Sequence, residues 1–374
     1  MRLKPFLLDN WLDEYEHNVE FDLAASTGPT WAVKDVLALA DEETRERFVK
    51  HTLVYSRVAG ADGLREAIAE MQQVSVEEVQ VMTGAAEAIL VVMWTAAEPG
   101  ANVILPRPGF ATFSAIPESL GLETRFYGVR RENGFRVDVD EIKRLADAKT
   151  KIILVNSPHH PTGSTISDGE MEALHDFAAG REIQLVCDEV YHPIYHGREL
   201  RSAARLPHAT VIGDLSKAFS LPGVRTGWIV DHNAERRQQY WTARAYFTIT
   251  NSTTGEILSE IAIRKRDVVL GRTQAIASRN LKLLEGFMAE HRAVLGWIPP
   301  QGGMTAFPWL VSGENARPFC QAAAERGILL APGDCFDVPP HIRLGFAAAG
   351  ENFCRALDGF GTFLKSWAAK MVRV

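Results

Sequence analysis

Lys217 follows an apolar run and a polar stop at Asp214, and Arg225 comes eight residues later between Gly223 and Gly227. A lysine amine in such a loop can form an imine with an aldehyde cofactor, and the arginine can clamp a phosphate. One solvated lysine and one solvated arginine in a Gly/Pro loop would read the same way. Asp188 closes a second apolar run, with Tyr191 three residues on. A carboxylate there can partner a protonated pyridine nitrogen, and the phenol can donate to a ring oxygen. A helix N-cap followed by a core tyrosine is the competing account.

Three further segments have the same character. Gly84, Ala85 and Ala86 open a helix directly after an apolar run, leaving backbone N–H groups free for an anion, as any strand–turn–helix junction also would. Phe110 follows Pro106-Arg107-Pro108-Gly109 and offers either a stacking face or a core ring. A polar turn runs from Asn156 through His159 and His160 to Gly163. Near the C-terminus, period-2 alternation puts Arg343 opposite Ile342, Leu344 and Phe346. There it is a surface cation or a bidentate grip on a carboxylate.

The elements that must hold these residues alternate. Apolar runs at 79–82, 102–105, 151–155, 183–187, 210–213 and 227–230 predict strands, and helical patterns at 86–97, 138–147 and 168–180 lie between them. This predicts an α/β fold with a mostly parallel sheet sandwiched by helices. Ligands in such sheets bind beyond the carboxyl ends of the strands, which is where the residues above fall. After about residue 275 a helix at 278–291 gives way to short strands at 296–300, 304–310, 328–330 and 341–346. The division expected is a large domain over 40–275 and a smaller α+β domain from 1–39 and 276–374.

A net charge of -7 argues against nucleic acid or an anionic membrane as partner. The four cysteines (Cys187, Cys320, Cys335, Cys354) have no paired spacing, which predicts reduced thiols and a cytoplasmic location. No signal peptide is expected, and the longest apolar run, near 88–97, is too short to span a bilayer. His192 and His196 flank Pro193 with no third ligand in view, so no metal is expected. No phosphate-binding Gly-rich fingerprint or nucleophile elbow is present.

Taken in order, Tyr55 with Gly60, Gly84, Phe110, Pro161-Thr162-Gly163, Asp188 with Tyr191, Lys217 with Arg225, and Arg343 resemble the class I/II aminotransferase family. These are fold-type I enzymes dependent on pyridoxal 5′-phosphate (PLP), and the likeness runs over roughly residues 20–365. The resemblance implies that Lys217 is the Schiff-base lysine and proton shuttle, Asp188 the pyridinium partner, and Tyr191 the donor to the ring oxygen. It implies that Phe110 stacks on the ring, and that Gly84, Ala85, Ala86, Ser216 and Arg225 cup the phosphate. Tyr55 would reach a phosphate in the neighbouring subunit of a homodimer. Arg343 would clamp the substrate α-carboxylate, helped by backbone near Gly28.

Two positions depart from that pattern. His160 stands where the family has asparagine, which implies a group titrating near neutral pH against cofactor and substrate. Asp214 stands where many members have serine, and an anion beside a phosphate should point elsewhere or bond a backbone N–H. A weaker likeness to capreomycidine synthase-like members rests on Asp9-Asn10-Trp11-Leu12, Thr248-Ile249-Thr250 and the segment from Gly302 to Pro308. The activity implied is transamination between an L-amino acid and a 2-keto acid, with a lyase or cyclase on the same scaffold as the alternative. A non-catalytic regulator is disfavoured by the intact Lys217–Asp188 pair. Arg244 and Trp31 are candidates for the substrate side chain.

Overall fold

The computed structural model describes residues 2–371. Seven strands form the central sheet: β1 (Val79–Met82), β2 (Asn102–Arg107), β3 (Glu123–Gly128), β4 (Thr150–Asn156), β5 (Gln184–Asp188), β6 (Ala209–Asp214) and β7 (Gly227–Asp231). Their spatial order is β1-β7-β6-β5-β4-β2-β3. All neighbours are parallel except β7, which runs antiparallel to both β1 and β6. The central strands are buried along nearly their whole length. Covered on both faces, they read as continuous apolar runs instead of alternating ones.

The sequence reading missed β3. Its residues, Glu-Thr-Arg-Phe-Tyr-Gly, mix charge with aromatics because the strand pairs only with β2 and forms an edge. An edge strand keeps one side near water, so the apolar signal fades.

Helices cross over between the strands, among them α2 (Gly84–Thr95) and α3 (Asp168–Ala179). The start of α3 is set by a capping box in which Ser167 and Glu170 satisfy each other's backbone N–H groups. Met171, Leu174, His175 and Ala178 then bury one face at helical spacing.

The C-terminal lobe is built on β8 (Ile342–Gly345), paired antiparallel with Thr305–Ala306 on one side and Ala331–Pro332 on the other. The N-terminal segment joins it: Phe21–Asp22 pairs parallel with Ile328–Leu329. Helix α1 (Leu7–Tyr15) is pinned there by Trp11, whose Nε1 donates to the Leu330 carbonyl at 2.9 Å.

Two expectations are corrected here. The long helix, α4, runs Arg266–Glu290, so it begins well before residue 278. Its first turns hold a consecutive Val268-Val269-Leu270 run broken by Gly271, and only Val269 and Thr273 are buried there, so no clear helical period shows. The strand expected over 304–310 is two short strands, Thr305–Ala306 and Trp309–Leu310. Pro308, lacking an N–H, separates them.

Candidate active site

A cleft of about 480 Å³ opens at the carboxyl ends of β4, β5 and β6. Helix α1 and β8 contribute its other walls. Register places Asn156, the last residue of β4, beside Asp188, the last residue of β5. Asp188 is buried, and its Oδ1 accepts from the Val190 N–H at 3.1 Å and from Asn156 Nδ2 at 3.3 Å. Burial pushes its pKa up to about 7, Asp214 and Glu189 adding to the shift while the Val190 N–H and Lys217 oppose it. An unpaired buried carboxylate of this kind calls for a cationic partner.

Lys217 lies just past β6 and opens onto the cleft. Its Nζ donates to Ser26 Oγ at 2.9 Å. The enclosing protein lowers its pKa first of all; Asp214 opposes that shift, whereas Arg343 and Arg225 deepen it. A depressed amine supplies the neutral form that a nucleophile needs. The Tyr191 hydroxyl donates to the Ser26 carbonyl at 3.1 Å, so one residue of the N-terminal segment touches both groups. Burial holds the Tyr191 phenol above its ordinary pKa.

On the β1 side, α2 begins at Gly84, with Ala85 and Ala86 lining the cleft. Gly84 has φ +78°, and a Cβ there would lie 2.6 Å from Arg225 Nη2. Only glycine lets the guanidinium approach the helix start this closely. Arg225 Nη1 also donates to Ser216 Oγ at 3.3 Å and to the Pro222 carbonyl at 3.1 Å, and no carboxylate pairs with it among the described residues. Free helix N–H groups, a hydroxyl and an unneutralised guanidinium make an anion cradle. Asp214 lines the cleft too, but its Oδ1 accepts from the Ser216 N–H at 2.9 Å, the second of the two outcomes expected for it.

Arg343 enters from β8. It is 2% exposed, and Nη1 lies 3.1 Å from His160 Nε2, while Nη2 donates to the Ala24 carbonyl. Its Nε has no partner among the described residues. A guanidinium has no acceptor, so His160 Nε2 must be the acceptor and the imidazole is neutral, protonated on Nδ1. The near-neutral titration expected of His160 is therefore corrected: burial foremost, then Arg343, Lys217 and His159, hold its pKa well below 6.5. The ring stacks on Tyr191 at 6.2 Å between centroids and meets Phe110 edge-on at 6.5 Å.

Four other expectations fare differently. Gly28 is packed against Ser220 and Thr273, where a Cβ would lie 2.3 Å from Ser220 Oγ; Ala25, Ser26 and Thr27 line the cleft in its place. Arg244 is fully buried away from the cleft, donating to the Val58 and Val81 carbonyls and to Asn251, so it is a structural cation. Trp31 lies outside the lining as well, stacked under Arg272 at 4.5 Å. Tyr55 is 81% exposed and takes no part in the cleft of its own chain. Ser26, Asn156 and Asp9 line the cleft without having been assigned a role from sequence. Asn156 sits at a strand end as Asp188 does, and the small residues Ala24-Ala25-Ser26 before Gly28-Pro29 were the available sign of a close backbone approach.

Residues 28–357 match the model of the family aminotransferase class I and II. The chain belongs to this family. Among aminotransferase relatives it is 29% identical over 314 residues to the arginine–pyruvate transaminase of Pseudomonas aeruginosa, covering 79% of each chain. It is 25% identical over 355 residues to the capreomycidine synthase of Streptomyces vinaceus, covering 94% of this chain and 91% of that one. A solved PLP-dependent aminotransferase from Streptococcus suis superposes with a TM-score of 0.92 at 26% identity, covering 98% and 99%. A PLP-dependent cyclase, OrfR, superposes with 0.89 at 27%, covering 98% of each chain. The fold is thus the fold-type I aminotransferase fold, and the family's cofactor is PLP. The open Asp188 carboxylate, the anion cradle at Gly84–Arg225 and the Lys217 amine between them fit that cofactor.

Proposed function

We propose that this protein is a PLP-dependent aminotransferase that moves an amino group between an L-amino acid and a 2-keto acid. The observation that carries the reading is the convergence of Lys217, Asp188, Arg225 and Arg343 on one cleft from four separate segments. PLP, when bound, supplies an electron sink for the bonds at the substrate's α-carbon. Lys217 holds the cofactor through its amine and then moves the proton at the α-carbon. Asp188 gives the ring nitrogen its counter-charge. Tyr191, once its hydroxyl leaves the Ser26 carbonyl, and the Nδ1–H of His160 would donate to the ring oxygen. Ser216, Arg225 and the N–H groups of Gly84, Ala85 and Ala86 hold the phosphate, and Phe110 covers the ring. Arg343, with its free Nε, binds the α-carboxylate.

We also infer a homodimer. Leu53 and Val54 are 80% and 61% exposed beside the exposed Tyr55, an apolar run that a second copy would cover. Tyr55 would then serve the partner's phosphate. The chain divides into the 40–275 domain and the 1–39 with 276–374 domain. No helix among the described residues is long and apolar enough to cross a membrane. All four cysteines are free, three of them buried, which supports the cytoplasmic location.

The test is a screen of amino donors against the holoenzyme with and without a 2-keto acid acceptor. A transaminase stops after one keto-acid product per site when the acceptor is withheld. A second reading, cyclisation or lysis of the amino acid on the same scaffold, is favoured by the near full-length likeness to capreomycidine synthase and by the fit to OrfR. Sustained turnover without an acceptor would decide for it.

A further inference from the structure

We propose that helix α1 forms the side-chain wall of the substrate site, and that Asp9, with Glu16, selects an amino acid whose side chain ends in a guanidinium or ammonium. The inference rests on the reading above in one respect: Arg343 holds the α-carboxylate and so fixes one end of the substrate.

The charges lining the cleft divide by what they already bind. Lys217, Arg225 and Arg343 are its cations. Of its five carboxylates, three have partners in the chain. Asp188 accepts from Val190 and Asn156, Asp214 from the Ser216 N–H, and Asp22 from the Ala24 and Ala25 N–H groups at 2.8 and 2.9 Å. Asp9 and Glu16 accept no hydrogen bond among the described residues; Glu16 has only a loose contact with exposed His17 at 3.9 Å. These two carboxylates belong to the N-terminal segment and line the cleft on its solvent-exposed side.

Their spacing is that of one helical face. Asp9, Leu12 and Glu16 stand at i, i+3 and i+7, with Leu8 and Phe6 beside them in the lining. An apolar strip between two free carboxylates suits a long aliphatic stem with a charged tip, as in arginine or lysine. A short acidic side chain finds no free cation on this wall.

The second observation is at Arg343, in the lining of the same cleft. Arg343 is buried, and its Nε has no partner among the described residues. A buried donor without an acceptor points to an anion that completes it. Both Arg343 and Lys217 act on the Asp9 carboxyl electrostatically, against the enclosure and the Asp13 charge that raise its pKa. Carboxylate grip, amine and acidic wall line the same cleft, and an α-amino acid with a cationic tip complements all three.

The experiment titrates holoenzyme with L-arginine and with L-citrulline, its neutral near-isostere, reading the bound cofactor's visible absorbance. L-Aspartate serves as the acidic comparison. Wild-type protein should favour arginine over citrulline by about fivefold or more, the size of a solvent-accessible charge pair. Asp9→Asn should bring that ratio close to one, and Asp9→Glu should restore most of it. The Asp9 side chain makes no hydrogen bond among the described residues, and because it lies in the first turn of α1, thermal unfolding of each variant beside wild type separates recognition from folding. Equal affinities for arginine and citrulline in the wild type, a preference for aspartate, or a ratio that survives both Asp9→Asn and Glu16→Gln would overturn the inference. Borohydride labelling of Lys217 separates the two levels. Labelled protein without the arginine preference overturns the acidic wall alone, and unlabelled protein overturns the parent reading with it.

Discussion

Arg343 donates to His160 Nε2 at 3.1 Å, joining residues 183 positions apart in the chain. The contact makes His160 a neutral acceptor toward the arginine and leaves its Nδ1–H as a donor. Asparagine offers the same pair of roles through its carbonyl and its amide. The departure from the family pattern at this position thus conserves hydrogen-bond polarity and adds no titrating charge.

That assignment has a pH consequence. Unfolded histidine titrates near 6.5, and the folded His160 does so well below it. Below the unfolded value the unfolded chain takes up a proton that the fold refuses, so stability is present above about 6.5 and lost as pH falls. His160→Asn should flatten the loss by up to one proton, about 1.4 kcal/mol per pH unit, in urea unfolding at mildly acidic pH. The same substitution should leave the shape of the activity profile between about pH 6 and 8 unaltered. A profile that changes in that interval would return His160 to the role of a neutral-pH switch.

Asp188 carries the opposite sign. Its carboxyl is raised from 3.8 to about 7 in the fold, so the apoprotein is favoured while the group is protonated and loses stability as pH rises between those values. Asp188→Asn should remove this slope from the apoprotein. In the holoenzyme, Asp188→Ala should still bind PLP but abstract the α-proton more slowly, by tenfold for each unit, about 1.4 kcal/mol, of ring-nitrogen pKa lost. Near-wild-type single-turnover rates would show that another group supplies the counter-charge.

Borohydride reduction of the holoprotein should fix the cofactor irreversibly to Lys217, as read by peptide mass. Lys217→Ala should lose the label and lower turnover by on the order of 10² to 10⁴, the usual worth of a positioned proton carrier. A label on any other lysine would end the assignment.

Arg343→Lys keeps the charge but loses the planar fork. KM for amino donors should rise about tenfold or more, with a smaller change in kcat, if the residue binds the carboxylate in ground and transition states alike. A fall in kcat at constant KM would instead make it part of the transition-state machinery.

Tyr55→Phe and Lys217→Ala, each impaired alone, should regain part of the activity when combined in verified heterodimers. Such a dimer holds one site with neither lesion if the tyrosine crosses the interface. No recovery would mean that Tyr55 does not complete the partner's site.

The sheet and most of the cleft were legible because their signals are local. Asp188 closes a buried strand, and Lys217 and the Gly84 turn each follow one; strands buried on both faces announce themselves as unbroken apolar runs. Where the signal depends on distant neighbours it failed. Arg244 looks like one more cation on a helix rich in arginine, and only the carbonyls of Val58 and Val81 with Asn251 make it a buried structural residue. Gly28 marks the right segment, but it packs against the Ser220 and Thr273 side chains, and it is Ser26 that meets Lys217 and Tyr191.

The sequence by itself determined the order of the chemical groups: a carboxylate, a phenol, an amine and two guanidiniums, the first three at or just past the end of a buried strand. Tertiary structure decided their protonation and their free valences. His160 is neutral because it is buried and Arg343 arrives from another lobe, and among the described residues Arg343 Nε has no hydrogen-bond partner. Protonation and pairing are set by burial and by charges within a few ångströms, and neither quantity is a function of position along the chain.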